Sequence, residues 1–257
     1  ALEVFVDSIA FSRICFEIHL IYKEGFKDEF MDNMEFREKQ EESYNKNRDT
    51  ALLRKEGIKR SFPDQGGYLI ILRHPIEVTE PIERFTSRIA NTAPCIPYGS
   101  HNLHTTISDY ELKPLSEFNP ELKVLRALSD IAKSAMNSAL FQLWPDYPLE
   151  IKYGSDWLIN QSAIMLAGHE PYLFFDLAND SVTSAESHNI KLRLPWGSHI
   201  TAARFTEDRD SGQIKDLLKL MNEAPKIPDS RPNFVDVGFF RMSKAGFNVT
   251  IHNRFST

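Results

Sequence analysis

Ser198-His199-Ile200-Thr201-Ala202 is one of two short stretches that organise this chain, and Ser100-His101-Asn102-Leu103-His104-Thr105-Thr106-Ile107 is the other. Each stretch contains the pattern His-x-Thr. The chain has eight histidines, and His104 and His199 are the two that have a threonine two places later. Side chains two apart on a strand point to the same face. Each motif therefore predicts a strand with histidine and threonine side by side.

This pairing predicts acid and base chemistry on a phosphate group. Imidazole exchanges protons near neutral pH, and a threonine hydroxyl can donate a hydrogen bond to an anionic oxygen. Two such pairs that face each other across a cleft would place a base on one side of the phosphate and an acid on the other. Such a reaction needs no metal ion and no other cofactor. The candidate catalytic residues are therefore His104, Thr106, His199 and Thr201.

The paired motif resembles the two-histidine (2H) phosphoesterase superfamily, which includes the RNA ligase-like proteins and the 2′,3′-cyclic nucleotide phosphodiesterases. The second copy matches further, since small or apolar residues and an arginine follow it in Pro195-Trp196-Gly197-Ser198-His199-Ile200-Thr201-Ala202-Ala203-Arg204-Phe205. The first copy, His104-Thr105-Thr106-Ile107, fits the core motif alone. The resemblance covers residues 66–257. It implies two lobes of antiparallel sheet that flank a central cleft.

The resemblance also implies roles for individual residues. In the family the two histidines divide the work of base and acid, and our hypothesis is that His199 activates water while His104 protonates the leaving oxygen. Arg204 resembles the family's arginine and would bind the phosphate. On an uninterrupted strand, however, Arg204 would face away from Thr201. A strand end or a bulge near Ala203 would bring it into the cleft.

Two aromatic residues precede the motifs as candidate substrate-binding residues. Tyr98 and Trp196 each lie between a proline and a Gly-Ser-His sequence, and either ring could stack on a nucleobase. The alternative is that both rings pack their loops against the core. The shared surroundings hint at an internal duplication, in which His199 aligns with His101. We prefer His104 as its partner, because a threonine follows His104 at the required offset.

Composition narrows the kind of protein and substrate. The chain of 257 residues is long enough for one large domain or two small ones. A formal charge of −6 argues against a broad nucleic-acid-binding surface and favours a small nucleotide or an RNA end as partner. Cys15 and Cys95 fit no metal or redox spacing, which indicates a reducing, cytoplasmic compartment. Charged residues interrupt the apolar N-terminal stretch, so we expect neither a membrane span nor a signal peptide.

The hydrophobic pattern predicts an α+β domain over residues 66–257, preceded by a helical extension over residues 1–65. The extension would hold two or three helices and would either pack on the domain or serve as an arm for a protein partner. Further helices are predicted over 79–90, 120–141, 171–188 and 212–223, and strands over 68–72, around His104, over 148–154 and 157–166, around His199, and over 234–242 and 247–255. Alternation puts Ser108 on the same face as Thr106. The final hairpin and the short connections favour antiparallel or mixed sheets.

These features together predict a metal-independent phosphodiesterase, that is, a phosphoric diester hydrolase. Its substrate would be a 2′,3′-cyclic phosphate or a related small nucleotide or RNA phosphodiester. The alternative is a regulatory module that binds a nucleotide or phosphate in the same cleft without turnover. The ligase direction of the same chemistry also stays open, because the reaction is reversible in principle.

Overall fold

The computed structural model describes residues 27–59, 64–138, 148–170 and 173–257. Its helices are α1 (Lys27–Arg48), α2 (Ala51–Glu56), α3 (Ile76–Ala90), α4 (Leu122–Met136), α5 (Leu173–Ser187) and α6 (Lys215–Met221), with a short 3-10 helix at Ser211–Ile214 before α6. Its strands are β1 (Gln65–Arg73), β2 (Cys95–Pro97), β3 (Thr105–Pro114), β4 (Trp157–Ile159), β5 (Ala163–Leu166), β6 (Ile200–Phe205), β7 (Phe234–Ser243) and β8 (Gly246–Ser256). Within these ranges, no helix has both the length and the apolar character that crossing a bilayer requires.

The eight strands form one sheet in which every pairing is antiparallel. The strand order is β4-β5-β6-β3-β1-β7-β8, and β2 pairs with β6. Two halves of the sheet meet where β3 and β6 share a single residue pair, Thr105 with Ile200. The predicted α+β fold with antiparallel strands and a helical N-terminal part is confirmed. The junction between the two halves lies inside the two His-x-Thr motifs.

Alternation along β1 separates the two faces of the first half of the sheet. Tyr68, Ile70 and Leu72 belong to the large core formed with α3, α4 and α5, which we call the helix face. Leu69 and Ile71 belong to a smaller cluster on the opposite side, which we call the motif face. Ile71 pairs with Thr106, so the motif face of β1 continues into the first motif.

Helix α3 begins three residues earlier than predicted. Pro75 takes the position before the first helical residue with φ −65° and ψ 163°, a backbone conformation typical of a helix N-cap. Pro81 consequently lies inside the helix and not in its first turn, where it removes one intrahelical hydrogen bond. The buried apolar residues of the helix are Val78, Ile82, Phe85 and Ile89.

Two of the predicted strands are wrong in detail. The stretch 157–166 is a hairpin, because the side-chain oxygen of Asn160 accepts hydrogen bonds from the backbone N–H groups of Ser162 and Ala163 and turns the chain. Residues 148–154 make isolated bridges, such as Ile151 with Ser230, and no ladder. The other predicted helices and strands are present, with ends that differ by a few residues.

Helix α1 packs on the second half of the sheet. Tyr44 is fully buried in a cluster with Leu158 and Met165, and the Arg48 guanidinium donates a hydrogen bond to Asp156 over 2.9 Å. Residues 1–26 and 60–63 of the predicted extension lie outside the described residues. The division of the chain at residue 65 stays a prediction.

Candidate active site

Both motif histidines are held in the same way by the backbone that precedes them. His104 Nδ1 lies 2.6 Å from the carbonyl oxygen of Asn102, and His199 Nδ1 lies 3.2 Å from the carbonyl oxygen of Gly197. A carbonyl oxygen can only accept, so each Nδ1 carries the hydrogen and donates it. Each Nε2 therefore keeps its lone pair, which is the form that a general base needs.

The two motifs cross at the junction of the sheet halves. The one residue pair that joins β3 to β6 is formed by the residue between histidine and threonine in each motif. In antiparallel strands, the residues on either side of a pair fall opposite each other. His104 therefore faces Thr201, and His199 faces Thr106. Both threonines are half-buried, so a group bound at the junction can reach their hydroxyls.

Strand β6 bulges directly after its threonine. Consecutive residues of β5 pair with Thr201 and Ala203, which leaves Ala202 as an extra residue. An extra residue reverses the alternation beyond it. Arg204 therefore lies on the same face as Thr201, and these two residues are half-exposed while both alanines are buried.

Strand β3 has the equivalent bulge. Consecutive residues of β1 pair with Thr106 and Ser108, which leaves Ile107 as the extra residue. The predicted placement of Ser108 on the face of Thr106 is therefore wrong, and Ser108 is fully buried on the helix face. Asp109 takes its place on the motif face, where the Arg193 guanidinium donates to its carboxylate over 2.7 Å.

Tyr98 orients Arg204 and is not free to bind a base. Arg204 Nε donates a hydrogen bond to the Tyr98 hydroxyl oxygen over 3.0 Å. The Tyr98 ring is only 2% exposed and stacks on Phe247 with ring centroids 4.3 Å apart. Arg204 also lowers the pKa of His104 and of His199. Its positive charge therefore acts on both imidazoles.

Trp196 covers the second histidine. Its ring stacks on His199 with centroids 3.8 Å apart and an interplanar angle of 26°, and its side chain is 38% exposed. Phe247 has the corresponding place at His104, with centroids 5.9 Å apart and an angle of 20°. Of the two aromatic residues predicted to bind substrate, Trp196 is the one that keeps an exposed surface beside a histidine.

Burial keeps both histidines neutral. Desolvation lowers the pKa of His104 to about 4 and that of His199 to about 3, and the positive charge of Arg204 acts in the same direction on both. The hydrogen bonds to the carbonyl oxygens oppose this shift. At pH 7 either imidazole can accept a proton. An anion placed between them would raise both pKa values and would allow one imidazole to hold a proton as an acid.

A buried ion pair holds the loop of the first motif. Arg73 Nε donates to the fully buried carboxylate of Asp236 over 2.9 Å, and Arg73 Nη1 donates to the carbonyl oxygen of His101 over 2.5 Å. Arg254 donates to Asp236 from the other side over 2.7 Å. His101, the alternative alignment partner, is itself exposed, whereas His104 is 8% exposed.

The sequence reasoning missed most of the side chains that hold the two histidine loops. These residues are Gln40, Tyr44, Arg73 and Phe247. They come from α1, β1 and the β7–β8 hairpin, and no spacing in the sequence links them to the motifs. Asn102 is different, because it lies inside the first stretch, and its side-chain amide bonds the backbone of Phe247 and Val249.

No family model and no curated protein matches this chain. Among solved structures, it is similar to E. coli LigT complexed with 3′-AMP, with 16% identity, 76% of this chain and 98% of that chain covered, and a TM-score of 0.48. It is also similar to TT0787 of Thermus thermophilus, with 15% identity, 74% and 97% coverage, and a TM-score of 0.46. The conserved protein of unknown function ATU0111 from Agrobacterium tumefaciens shows 11% identity, 73% and 85% coverage, and a TM-score of 0.37. Identities and TM-scores this low carry no argument about the chemistry of this chain, which has to be inferred from its own side chains.

Proposed function

We propose that the protein is a metal-independent phosphodiesterase of the two-histidine (2H) type that hydrolyses a 2′,3′-cyclic phosphate or a related small nucleotide or RNA phosphodiester. The observation that carries this proposal is the crossed arrangement of the motifs, in which His104 faces Thr201 and His199 faces Thr106 at the one pair that joins β3 to β6. This register supports a site in which two imidazoles and two hydroxyls share one face of the sheet beside the junction. These are the groups that proton transfer at a phosphate needs.

In the proposed reaction, His199 Nε2 takes a proton from a water molecule while the water oxygen attacks phosphorus. The bond from phosphorus to one ribose oxygen breaks, and His104 gives its proton to that oxygen, which leaves a phosphate monoester. Each positioned imidazole contributes roughly a hundred- to ten-thousandfold to the rate. The hydroxyls of Thr106 and Thr201 donate to the phosphoryl oxygens, which gain charge in the transition state.

Charges and shape beside the histidines support an anionic nucleotide as the substrate. Arg204 provides a cation on the same face as Thr201 and offsets the phosphodiester charge. The phosphodiester in turn raises the pKa of His104, which lets this residue carry the proton that it delivers. Trp196 offers the exposed part of its ring to a nucleobase. The acidic net charge favours a small substrate over a long nucleic acid.

A cytoplasmic location stays a prediction, which is based on the two cysteines.

The test is the hydrolysis of the four nucleoside 2′,3′-cyclic monophosphates in the presence of EDTA. We expect turnover by the wild type and a loss of about a thousandfold in both His104→Ala and His199→Ala. His188→Ala is a matched control, because His188 is an exposed histidine outside the motifs. Turnover that survives both motif substitutions, or that EDTA abolishes, contradicts the proposal. Nucleotide binding without any turnover would favour the regulatory module instead.

The division of roles needs its own measurement. If His199 is the base, pH–rate profiles and solvent isotope effects of the single variants will show the basic limb lost in the His104 variant and the acidic limb lost in the His199 variant. The opposite order would exchange the two roles and leave the reaction class unchanged. The isomer of the monophosphate product identifies which ribose oxygen leaves.

A further inference from the structure

The peptide group that orients His199 is held by helix α1. Its carbonyl oxygen belongs to Gly197 and accepts the hydrogen bond from His199 Nδ1. Its N–H belongs to Ser198 and donates to the side-chain oxygen of Gln40 over 3.1 Å. Because a peptide group is planar, the bond to Gln40 also fixes the direction of the carbonyl. The side chain of Gln40 therefore acts on the imidazole through one rigid unit.

The approach of α1 to this loop is close and specific. A Cβ atom at Gly197 would lie 2.8 Å from Tyr44 Oη and 2.9 Å from Gln40 Cγ, so the contact requires glycine at this position. Gln40 is 5% exposed and Ser198 is fully buried. The N–H of Ser198 would thus lose a buried partner without Gln40, and an unsatisfied buried donor is costly.

Tyr44 reaches the same imidazole by a second route. Its hydroxyl donates to the carbonyl oxygen of Gly168 over 3.0 Å, and Ser198 Oγ donates to that same oxygen over 2.6 Å. The Tyr44 ring is fully buried and stands edge-on to Trp196, with centroids 5.6 Å apart and an angle of 81°. Trp196 in turn stacks on His199. Helix α1 therefore supports both the peptide group that orients His199 and the tryptophan ring that stacks on it.

We propose that Gln40 and Tyr44 are positioning residues for His199, and that helix α1 is part of the second half of the active site. This inference rests on the proposed function. Helix α1 belongs to the predicted N-terminal extension, so the proposal gives this extension a role within the chain itself. The sequence also allowed the alternative that the extension is an arm for a protein partner. Small displacements of a reacting group cost large factors in rate, so loss of either contact lowers turnover more than it weakens substrate binding.

The kinetic test compares Gln40→Met and Tyr44→Phe with Asn47→Ala. Gln40→Met keeps the volume of the side chain and removes the acceptor, and we expect kcat to fall about tenfold with KM within about twofold. Tyr44→Phe keeps the ring beside Trp196 and removes only the hydroxyl, so a loss of about threefold is expected. Asn47 also lies on α1 but accepts a hydrogen bond from Asn160, away from the loop. Its substitution controls for a general loosening of the helix and leaves kcat unchanged.

A measurement in the free protein separates this inference from the proposed function. Nitrogen-15 NMR of the histidine side chains reports the tautomer, and the wild type is expected to show His199 with its proton on Nδ1 alone. Gln40→Met is expected to give a mixture of tautomers, whereas Asn47→Ala keeps the single one. If no variant hydrolyses a phosphodiester but the tautomer responds, the proposed function fails and the orienting role of Gln40 stands.

Two results would overturn the inference. One is a folded Gln40→Met protein whose His199 tautomer equals that of the wild type. The other is an active Gln40→Met protein whose kcat stays within about twofold of the wild type. A Gln40→Met protein that does not fold transfers both readouts to Tyr44→Phe, which preserves the buried ring.

Discussion

The two halves of the site hold equivalent histidines with different parts of the chain. The peptide group that orients His104 joins Asn102 to Leu103. Its N–H, which belongs to Leu103, donates to the carbonyl oxygen of Gly99 over 3.1 Å within the same loop. The peptide that orients His199 uses a side chain 158 positions away, on α1. The orienting peptide group of the first half-site is thus held by a local backbone turn, and that of the second is held by a distant helix. Equivalent geometry therefore does not imply equivalent sensitivity to mutation.

The two halves also differ in charge. After its bulge, the second strand presents Arg204, which is oriented by Tyr98 in the loop between β2 and the first motif. The first strand presents Asp109 at the corresponding position, and Arg193 neutralises it from the second half. Among the described residues no carboxylate pairs with Arg204, so the face between the motifs carries a cation at one end and an ion pair at the other. A phosphate anion is expected to bind nearer Arg204.

The largest effect outside the histidines is expected at the threonines. Thr106→Val and Thr201→Val keep the shape and remove the hydroxyl, and each is expected to lower kcat/KM about fiftyfold, because a hydrogen bond to a charged oxygen contributes about 1.5–3 kcal/mol. Steady-state kinetics on the best cyclic nucleotide measures both. Thr250→Val is a control, since Thr250 is exposed on β8. A loss below about threefold at one threonine would show that its half-site does not touch the phosphate.

The difference in charge predicts an unequal response at two arginines. Arg204→Gln is expected to raise KM about thirtyfold, because it removes a charged donor beside the phosphate. Arg193→Gln, the matched substitution in the ion pair, is expected to change KM by less than about twofold, because an exposed pair contributes little. Equal effects at both positions would mean that the anion spans the whole motif face.

The sequence showed that Arg204 needs a strand end or a bulge to reach the cleft. It could not show at which residue the bulge lies. Alternation alone places Arg204 away from Thr201, so a bulge had to be assumed. The register of β5 and β6 puts the extra residue at Ala202. The same alternation failed at Ser108, because the β3 bulge carries no glycine and no other local signal. A bulge is set by pairing with a neighbouring strand, which a single sequence does not reveal.

Contacts between distant segments were the least predictable part of the site. The motifs themselves predicted all four candidate catalytic side chains, because histidine and threonine two apart are a local pattern. Nothing local connects Phe247 or Tyr44 to the histidines that they support. Tyr98 is a candidate for stacking on a nucleobase because it precedes the first motif. Its ring lies in the core, however, where its stack on Phe247 excludes a ligand.

The first half-site has a second buried histidine behind it, which predicts acid sensitivity. His74 is 8% exposed, and its ring nitrogens lie 2.8 Å from Ser230 Oγ and 3.0 Å from Thr105 Oγ1. Desolvation lowers its pKa to about 3, and the charge that His104 gains on protonation and the positive charge of Arg73 act in the same direction. The unfolded chain, with an imidazole pKa of about 6.5, binds more protons below that pH. The contribution of neutral His74 to the free energy of unfolding is therefore complete above pH 6.5 and is lost as the pH falls towards 3.

Urea unfolding at pH 7 and pH 5 measures this effect. We expect His74 to account for a fall of about 2 kcal/mol in the free energy of unfolding between these two values. His74→Gln lowers stability at pH 7 but removes that part of the pH dependence, whereas His188→Gln, at an exposed histidine, leaves the dependence unchanged. An unchanged slope in His74→Gln would mean that the folded protein protonates this residue as readily as the unfolded chain does.

The smallest expected effect tests how the loop before the first motif assists Arg204. Tyr98→Phe keeps the stack on Phe247 and removes the oxygen that accepts from Arg204 Nε. Since one neutral partner is lost and the guanidinium stays in place, KM is expected to rise about threefold while kcat is unchanged. A fall in kcat with an unchanged KM would indicate a different route, from Tyr98 through Phe247 to His104. In that case the tyrosine would serve its own half-site, and Arg204 would be oriented by the β6 bulge alone.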